Sequence, residues 1–211
     1  MARKQKTSGR ASGRKSSGRE RASRSRSARS GAGRSAGGSR SPRDGRVTDV
    51  ISFLKHQHDE TRRLFHDLAE AKGDARRAAF ARLADLIAVH ARLEEQMLYP
   101  EMARAGGLED FVRDALEEHL IAKRILADLL EKSLDERVFE AKCRVLEQEV
   151  VRHLDEEEAS LFPRARRALG RARGQELLPE MQQQFERLMQ HEPRSSVPNE
   201  TDSAPRLPTL Q

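Results

Sequence analysis

Apolar side chains recur at alternating steps of three and four residues along most of positions 48–190, the spacing of one buried stripe on an α-helix. Four long segments carry it. The first covers about 48–71 and gives way at Gly73, where tolerance of positive φ suits a helix end. The second starts near Asp74, read as its N-cap, and ends at Pro100 or shortly after, before Gly106 and Gly107. The third covers about 108–132, and the fourth opens on Ser133-Leu134-Asp135-Glu136, a capping-box pattern, and runs to about Gly170. A fifth stripe at about 174–190 carries Leu177, Leu178, Met181, Phe185, Leu188 and Met189. Long helices with short connections favour antiparallel neighbours. The pattern therefore predicts an all-α fold, an up-down-up-down antiparallel four-helix bundle over 48–170, with a C-terminal fifth helix (171–191) docked on it.

Each long stripe changes character near its middle. The inward positions of the first segment are Ile51, Leu54, His58, Thr61, Phe65 and Leu68. Those of the second are Phe80, Leu83, Ile87, His90, Glu94 and Met97. The third gives Val112, Ala115, His119, Ala122, Leu126 and Leu129, and the fourth Phe139, Cys143, Leu146, Val150, His153, Glu157 and Ser160. Six ionisable side chains thus point into an otherwise apolar core at similar depth. Burying one polar group without a partner costs about 1–3 kcal/mol, and an unpaired charge costs more. Four neutral imidazoles and two carboxylates carry a charge of −2, which one or two metal ions would neutralise. Nitrogen and oxygen ligands without sulfur suit iron, manganese or zinc.

The layer is also repeated. His90 to Pro100 and His153 to Pro163, 63 positions apart, both read H-x-x-x-E-E-x-x-L-[YF]-P. Upstream, His58, Arg63, Asp67 and Leu68 align with His119, Arg124, Asp128 and Leu129. One helical hairpin occurs twice, a helix with a lone His followed by a helix with His-x-x-x-Glu. On a helix, residues four apart share a face, so each such pair aims an imidazole and a carboxylate at one point.

The remaining candidates read as less central. His56 faces away from the stripe, His191 lies in the tail, and His66 sits about 12 Å along the axis from His58, too far for the same ion. Glu95 and Glu158 turn about 100° away from Glu94 and Glu157, toward solvent or a supporting role. Tyr99, the sole tyrosine, reads as helix-end packing beside Pro100.

Charge divides the chain. Residues 1–47 hold 15 Lys and Arg against Glu20 and Asp44, a balance of +13; the rest has 25 basic and 32 acidic residues, or −7. This first segment is Arg, Ser and Gly with almost no large apolar side chain, so it is expected to be disordered. Runs such as Ser23-Arg24-Ser25-Arg26 would support nonspecific nucleic-acid contact through residues 1–46. The end, 192–211, has four prolines in its twenty residues and is expected to be loose. Cys143 is the only cysteine, which excludes an internal disulfide framework. No apolar run reaches 18 residues and no secretory leader is visible, so a cytoplasmic protein without a transmembrane segment is expected. Phosphate loops, Ser-His-Asp patterns and Cys-based metal motifs are lacking, which leaves hydrolysis and nucleotide chemistry without support.

His58, His90-x-x-x-Glu94, His119 and His153-x-x-x-Glu157, with the Leu-Tyr-Pro and Leu-Phe-Pro endings, resemble the hemerythrin-like family and its HHE cation-binding group, over about 48–169. The resemblance implies two non-haem iron ions. His58, His90, His119 and His153 would be terminal ligands, and Glu94 and Glu157 would bridge. Oxygen-carrying relatives have a second His four residues after the one on the third helix, where this chain has Lys123, and a fourth-helix Asp spaced one residue further. One nitrogen donor fewer leaves an iron with open positions. Relatives with the shorter ligand set are associated with iron or oxygen sensing, nitric oxide responses and repair of iron centres. Three functions follow: a di-iron protein that senses or handles iron, oxygen or nitric oxide; a redox enzyme using the same centre; and an interaction scaffold tethered to nucleic acid by its basic arm.

Overall fold

The structure, a computed structural model, describes residues 47–131 and 134–206. The basic segment 1–46 and the Ser133 cap expected from the sequence lie outside the described residues. Among the latter every regular element is helical: α1 (Val50–Glu70), α2 (Gly73–Leu93), α3 (Tyr99–Ala105), α4 (Glu109–Leu129), α5 (Glu136–Glu156) and α6 (Phe162–Met189). Two π-turns, Glu94–Leu98 and Glu157–Leu161, join α2 to α3 and α5 to α6 without a break.

Local chemistry sets the ends. Asp49 caps α1 and exchanges hydrogen bonds with Ser52, whose N–H donates to Asp49 Oδ1 at 2.7 Å while the Asp49 N–H donates to Ser52 Oγ at 2.9 Å. Asp74 is not a cap, because α2 already begins at Gly73 and Asp74 falls in its first turn, where a negative charge suits the helix dipole. Asp135 caps α5 by accepting from the Arg137 N–H. The bend at Gly170 (φ 70°, ψ 169°) splits α6 into a first part continuing from α5 and a second that folds back on the bundle. Only glycine adopts that backbone conformation at little cost.

Helices α1 and α2 pack along each other, as do α4 and α5, and the pairs meet through α1–α5 and α2–α4. The core falls into two apolar clusters. One gathers Val50, Leu54, Leu93, Leu98, Met102, Val112 and Phe162. The other gathers Leu64, Phe65, Leu83, Leu126, Leu146 and Leu154. His58 lies midway along α1 between Leu54 and Leu64, and the equivalent positions on α2, α4 and α5 are polar too, so a polar layer separates the clusters. The second part of α6 docks through Leu177 and Met181, and Phe185 meets Phe53 edge-on at 5.7 Å.

The expectation of a loose end from 192 onward does not hold for Pro193–Glu200. This stretch is a 3-10 helix seated on α2 and α4 with Val197 fully buried. Proline-rich composition disfavours α-helix but is compatible with a short, tight turn that presents one apolar side chain.

Candidate metal centre

All six layer residues are buried, none above 6% exposed, and their functional atoms converge. His58 Nε2 lies 3.2 Å from His90 Nε2, and His119 Nε2 lies 3.0 Å from His153 Nε2. Glu94 Oε2 is 3.3 Å from His90 Nε2 and 3.4 Å from His119 Nε2, so it reaches from one hairpin to the other. Glu157 Oε2 does likewise, 3.3 Å from His58 Nε2 and 3.7 Å from His153 Nε2. Two overlapping groups able to hold a cation result: His58, His90, Glu94 and Glu157, and Glu94, His119 and His153, each with ligand atoms within 4.8 Å of one another.

Every imidazole is fixed from behind. The Nδ1 atoms of His58, His119 and His153 face carboxylate oxygens of Glu158 (3.0 Å), Glu95 (3.0 Å) and Glu118 (2.7 Å), and that of His90 faces Gln57 Oε1 (2.9 Å). These acceptors hold the proton on Nδ1 and turn the Nε2 lone pair inward, as metal-binding histidines require. The pattern follows the repeat. The residue before each lone His orients the His of the next helix (Gln57 to His90, Glu118 to His153). The residue after each layer Glu crosses to the lone His of the other hairpin (Glu95 to His119, Glu158 to His58). Cations close the outer ring: Lys55 and Arg62 on Glu158, Lys123 on Glu95, and Arg152 on Glu118.

Electrostatics divides the layer. Burial drives the Glu94 carboxyl well above its usual range, and the Glu157 charge adds to the rise. For Glu157 burial pushes the same way but is outweighed by the imidazoles of His153, His58 and His90, which hold it low. Burial, reinforced by His58, lowers His90 well below the ordinary imidazole value; burial also lowers His119, against the pull of Glu95. His153 rises despite burial because Glu157 and Glu118 favour its charged form. Glu118 is lowered to about 2, chiefly by its hydrogen bond with His153, with Arg152 assisting against desolvation.

The donor set fits cations. With protons on Nδ1, the paired Nε2 atoms would set lone pair against lone pair at 3.0–3.2 Å, a repulsion that a shared cation turns into attraction. Glu94 Oε1 and Glu157 Oε2 are buried and accept no hydrogen bond. Two carboxylate oxygens without donors, beside four inward lone pairs, are what an oxygen- and nitrogen-binding ion would satisfy. A cavity of ≈ 30 Å³ adjoins His90, His119 and His153, walled by Ile87, Ala122 and Val150.

A family model, the hemerythrin HHE cation binding domain, matches residues 49–165. The chain belongs to the hemerythrin HHE cation-binding family. A crystal structure of a hemerythrin HHE cation binding domain-containing protein from Mycobacterium kansasii superposes with a TM-score of 0.62 at 23% identity, covering 72% of this chain and 99% of that one, and so shares its fold. No curated protein matches the sequence. Among the described residues no helix is long and apolar enough to cross a membrane.

Tyr99 packs at the helix end as its place beside Pro100 suggests, but it also enters the layer. Its side chain is fully buried in the HHE layer, with the hydroxyl donating to Glu157 Oε1 at 2.9 Å and the ring stacked on His119 at 5.6 Å. The π-turn is the cause. In a regular helix the Pro100 ring would collide with the Gln96 carbonyl and supply no N–H to it. A wider turn avoids both, and Tyr99 N–H bonds instead to the Glu94 carbonyl five residues back. The extra residue carries Tyr99 onto the face of Glu94 and leaves Met97 half-buried. Pro163 has the same effect in the second repeat, where Phe162 stacks on His58 at 5.1 Å. His56, His66 and His191 are exposed. Lys123 points away from the layer to Glu95, and the half-buried Cys143 thiol is pushed up to about 11, mainly by burial.

Proposed function

We propose that this HHE protein binds two iron ions and uses them to sense or handle iron, oxygen or nitric oxide. His58, His90, His119 and His153 would hold the ions as terminal ligands, and Glu94 and Glu157, each within reach of a histidine from both hairpins, would be shared between them. The observation that carries this reading is the fixing of all four imidazoles with Nε2 inward around two carboxylate oxygens that lack donors. When bound, such an iron pair supplies an open coordination position for a diatomic ligand.

The chain's own residues support that use. Tyr99 donates to Glu157 and holds its orientation within the layer. The adjoining cavity of ≈ 30 Å³ has room for a molecule about the size of water, as a diatomic gas is. The only thiol, Cys143, is held protonated, so the chemistry would rest on the nitrogen and oxygen ligands. The two-residue link between α1 and α2 requires a reversal of direction, and we read the long segments as an up-down-up-down bundle.

Iron analysis and the optical spectrum of aerobically purified, iron-reconstituted protein test the proposal. Bound iron, with the near-ultraviolet absorption of a bridged ferric pair that changes on adding nitric oxide or on reduction and re-oxygenation, is expected. A protein that retains no iron, or iron insensitive to both gases, contradicts it.

A further inference from the structure

The segment after α6 reaches the back of the metal layer. It lies beyond the residues that the family model matches. Asp85 on α2 anchors its start, accepting the Arg194 backbone N–H at 3.0 Å and pairing with the Arg194 guanidinium. Val197 is fully buried in the apolar cluster of Leu64, Leu83 and Leu126. On α4, Arg124 donates to the carbonyls of Thr201 and Asp202 at 2.9 and 3.3 Å. Between these anchors Glu200 is set against two cations, Arg92 and Lys123.

Lys123 makes the connection inward. Its side chain is only 4% exposed, and its ammonium has three N–H donors to satisfy. Two are taken by the Glu95 oxygens at 2.8 and 2.9 Å, and Glu200 Oε2 stands at 3.1 Å for the third. Glu95 Oε1 in turn accepts from His119 Nδ1 at 3.0 Å. Four side chains, Glu200, Lys123, Glu95 and His119, therefore run in unbroken contact from this segment to the layer. Removing Glu200 leaves a buried ammonium donor open, and the flexible lysine stem can recover it only by swinging to water. Glu95 then loses the partner that holds it against His119.

We propose that Pro193–Arg206 is a clamp on the metal centre, with Glu200 a positioning residue that sets His119 through Lys123 and Glu95. The proposal rests on the reading of the six-residue layer as a metal site. Partners that orient metal-bound histidines change metal affinity by about 10–100-fold when removed. Thermodynamic reciprocity then requires metal binding to tighten the segment by the same factor.

The test uses the full chain reconstituted with ferrous iron. Iron loss to excess bidentate chelator is timed for wild type, Glu200→Gln and Val197→Asp, and amide hydrogen exchange over 193–206 is compared with and without iron. Helicity by circular dichroism verifies that the bundle is intact in each variant. Both variants should lose iron at least about tenfold faster than wild type, and iron should slow exchange in the segment. Loss from Glu200→Gln within twofold of wild type overturns the clamp, even if Val197→Asp is fast, because the Lys123–Glu95 path would then carry nothing. Unchanged exchange on iron loading also overturns it. A wild-type chain that retains no iron overturns the reading of the layer together with the clamp, and so separates the two failures.

Discussion

Tyr99 follows Glu94 by five residues, yet its hydroxyl lies 3.4 Å from a Glu94 oxygen and 2.9 Å from Glu157. The π-turn imposed by Pro100 puts the ring where a regular helix would put Met97 or Leu98. Its counterpart in the second repeat, Phe162, has no hydroxyl, so the two halves of the layer are chemically unequal.

Tyr99→Phe removes a buried donor to a charged carboxylate while keeping a ring that Phe162 already shows to be compatible with this geometry. The metal-free variant should keep its helicity and lose about 2 kcal/mol of unfolding free energy in urea. An unchanged stability would mean that the hydroxyl bond contributes nothing.

On the proposed reading, Glu94 holds function against stability. Its carboxyl is fully buried, one oxygen accepts no hydrogen bond, and burial beside Glu157 disfavours its charge. A buried polar group left without a partner costs about 1–3 kcal/mol, which an apolar side chain of similar volume recovers. Glu94→Met should raise the urea midpoint of the metal-free protein and abolish tight metal binding. A lower midpoint would contradict this account of the layer.

Glu118 gives a pH window. Its carboxyl is lowered to about 2 in the fold, so its contribution to stability is fully present above the ordinary carboxylate value near 4.5 and is lost as pH falls toward 2. Acid unfolding of metal-free wild type and Glu118→Gln should differ most above about pH 4.5. The two curves should converge as pH approaches 2. A gap that widened on acidification would reverse the assignment.

Much of this was legible in the sequence because it is periodic. Apolar steps of three and four residues locate the helices, and the same steps put His58, His90, Glu94, His119, His153 and Glu157 on one face each. What escaped lies where the period breaks or where one residue acts across the bundle. The π-turn shifts Tyr99 by one position, and its visible trace is a proline six residues after each layer glutamate. Glu95 and Glu158 read as candidates for a supporting role, but the histidine each serves lies on another helix, as do those served by Gln57 and Glu118, which helical spacing within one segment does not reveal. The docking of Pro193–Glu200 buries only Pro193 and Val197 and is pinned by the pairs Arg194–Asp85 and Glu200–Arg92, too few apolar residues to stand out against a proline-rich composition.

Gly170 marks the boundary between the HHE bundle and the returning helix. Its backbone, φ 70° and ψ 169°, lies in a region almost reserved for glycine, although nothing lies within 4 Å of where a Cβ would sit. Gly170→Ala should therefore destabilise by about 1–3 kcal/mol through backbone strain and not through a clash. Urea unfolding checks the size of the loss, and a neutral substitution would show that the kink relaxes freely.

The number of metal ions per chain tests the central claim most directly. Inductively coupled plasma analysis of natively purified or iron-reconstituted protein should give about two ions per chain, falling in His58→Ala and His119→Ala with helicity preserved. A wild-type protein without stoichiometric metal, or variants that keep the full complement, would contradict the assignment of this layer as a metal centre.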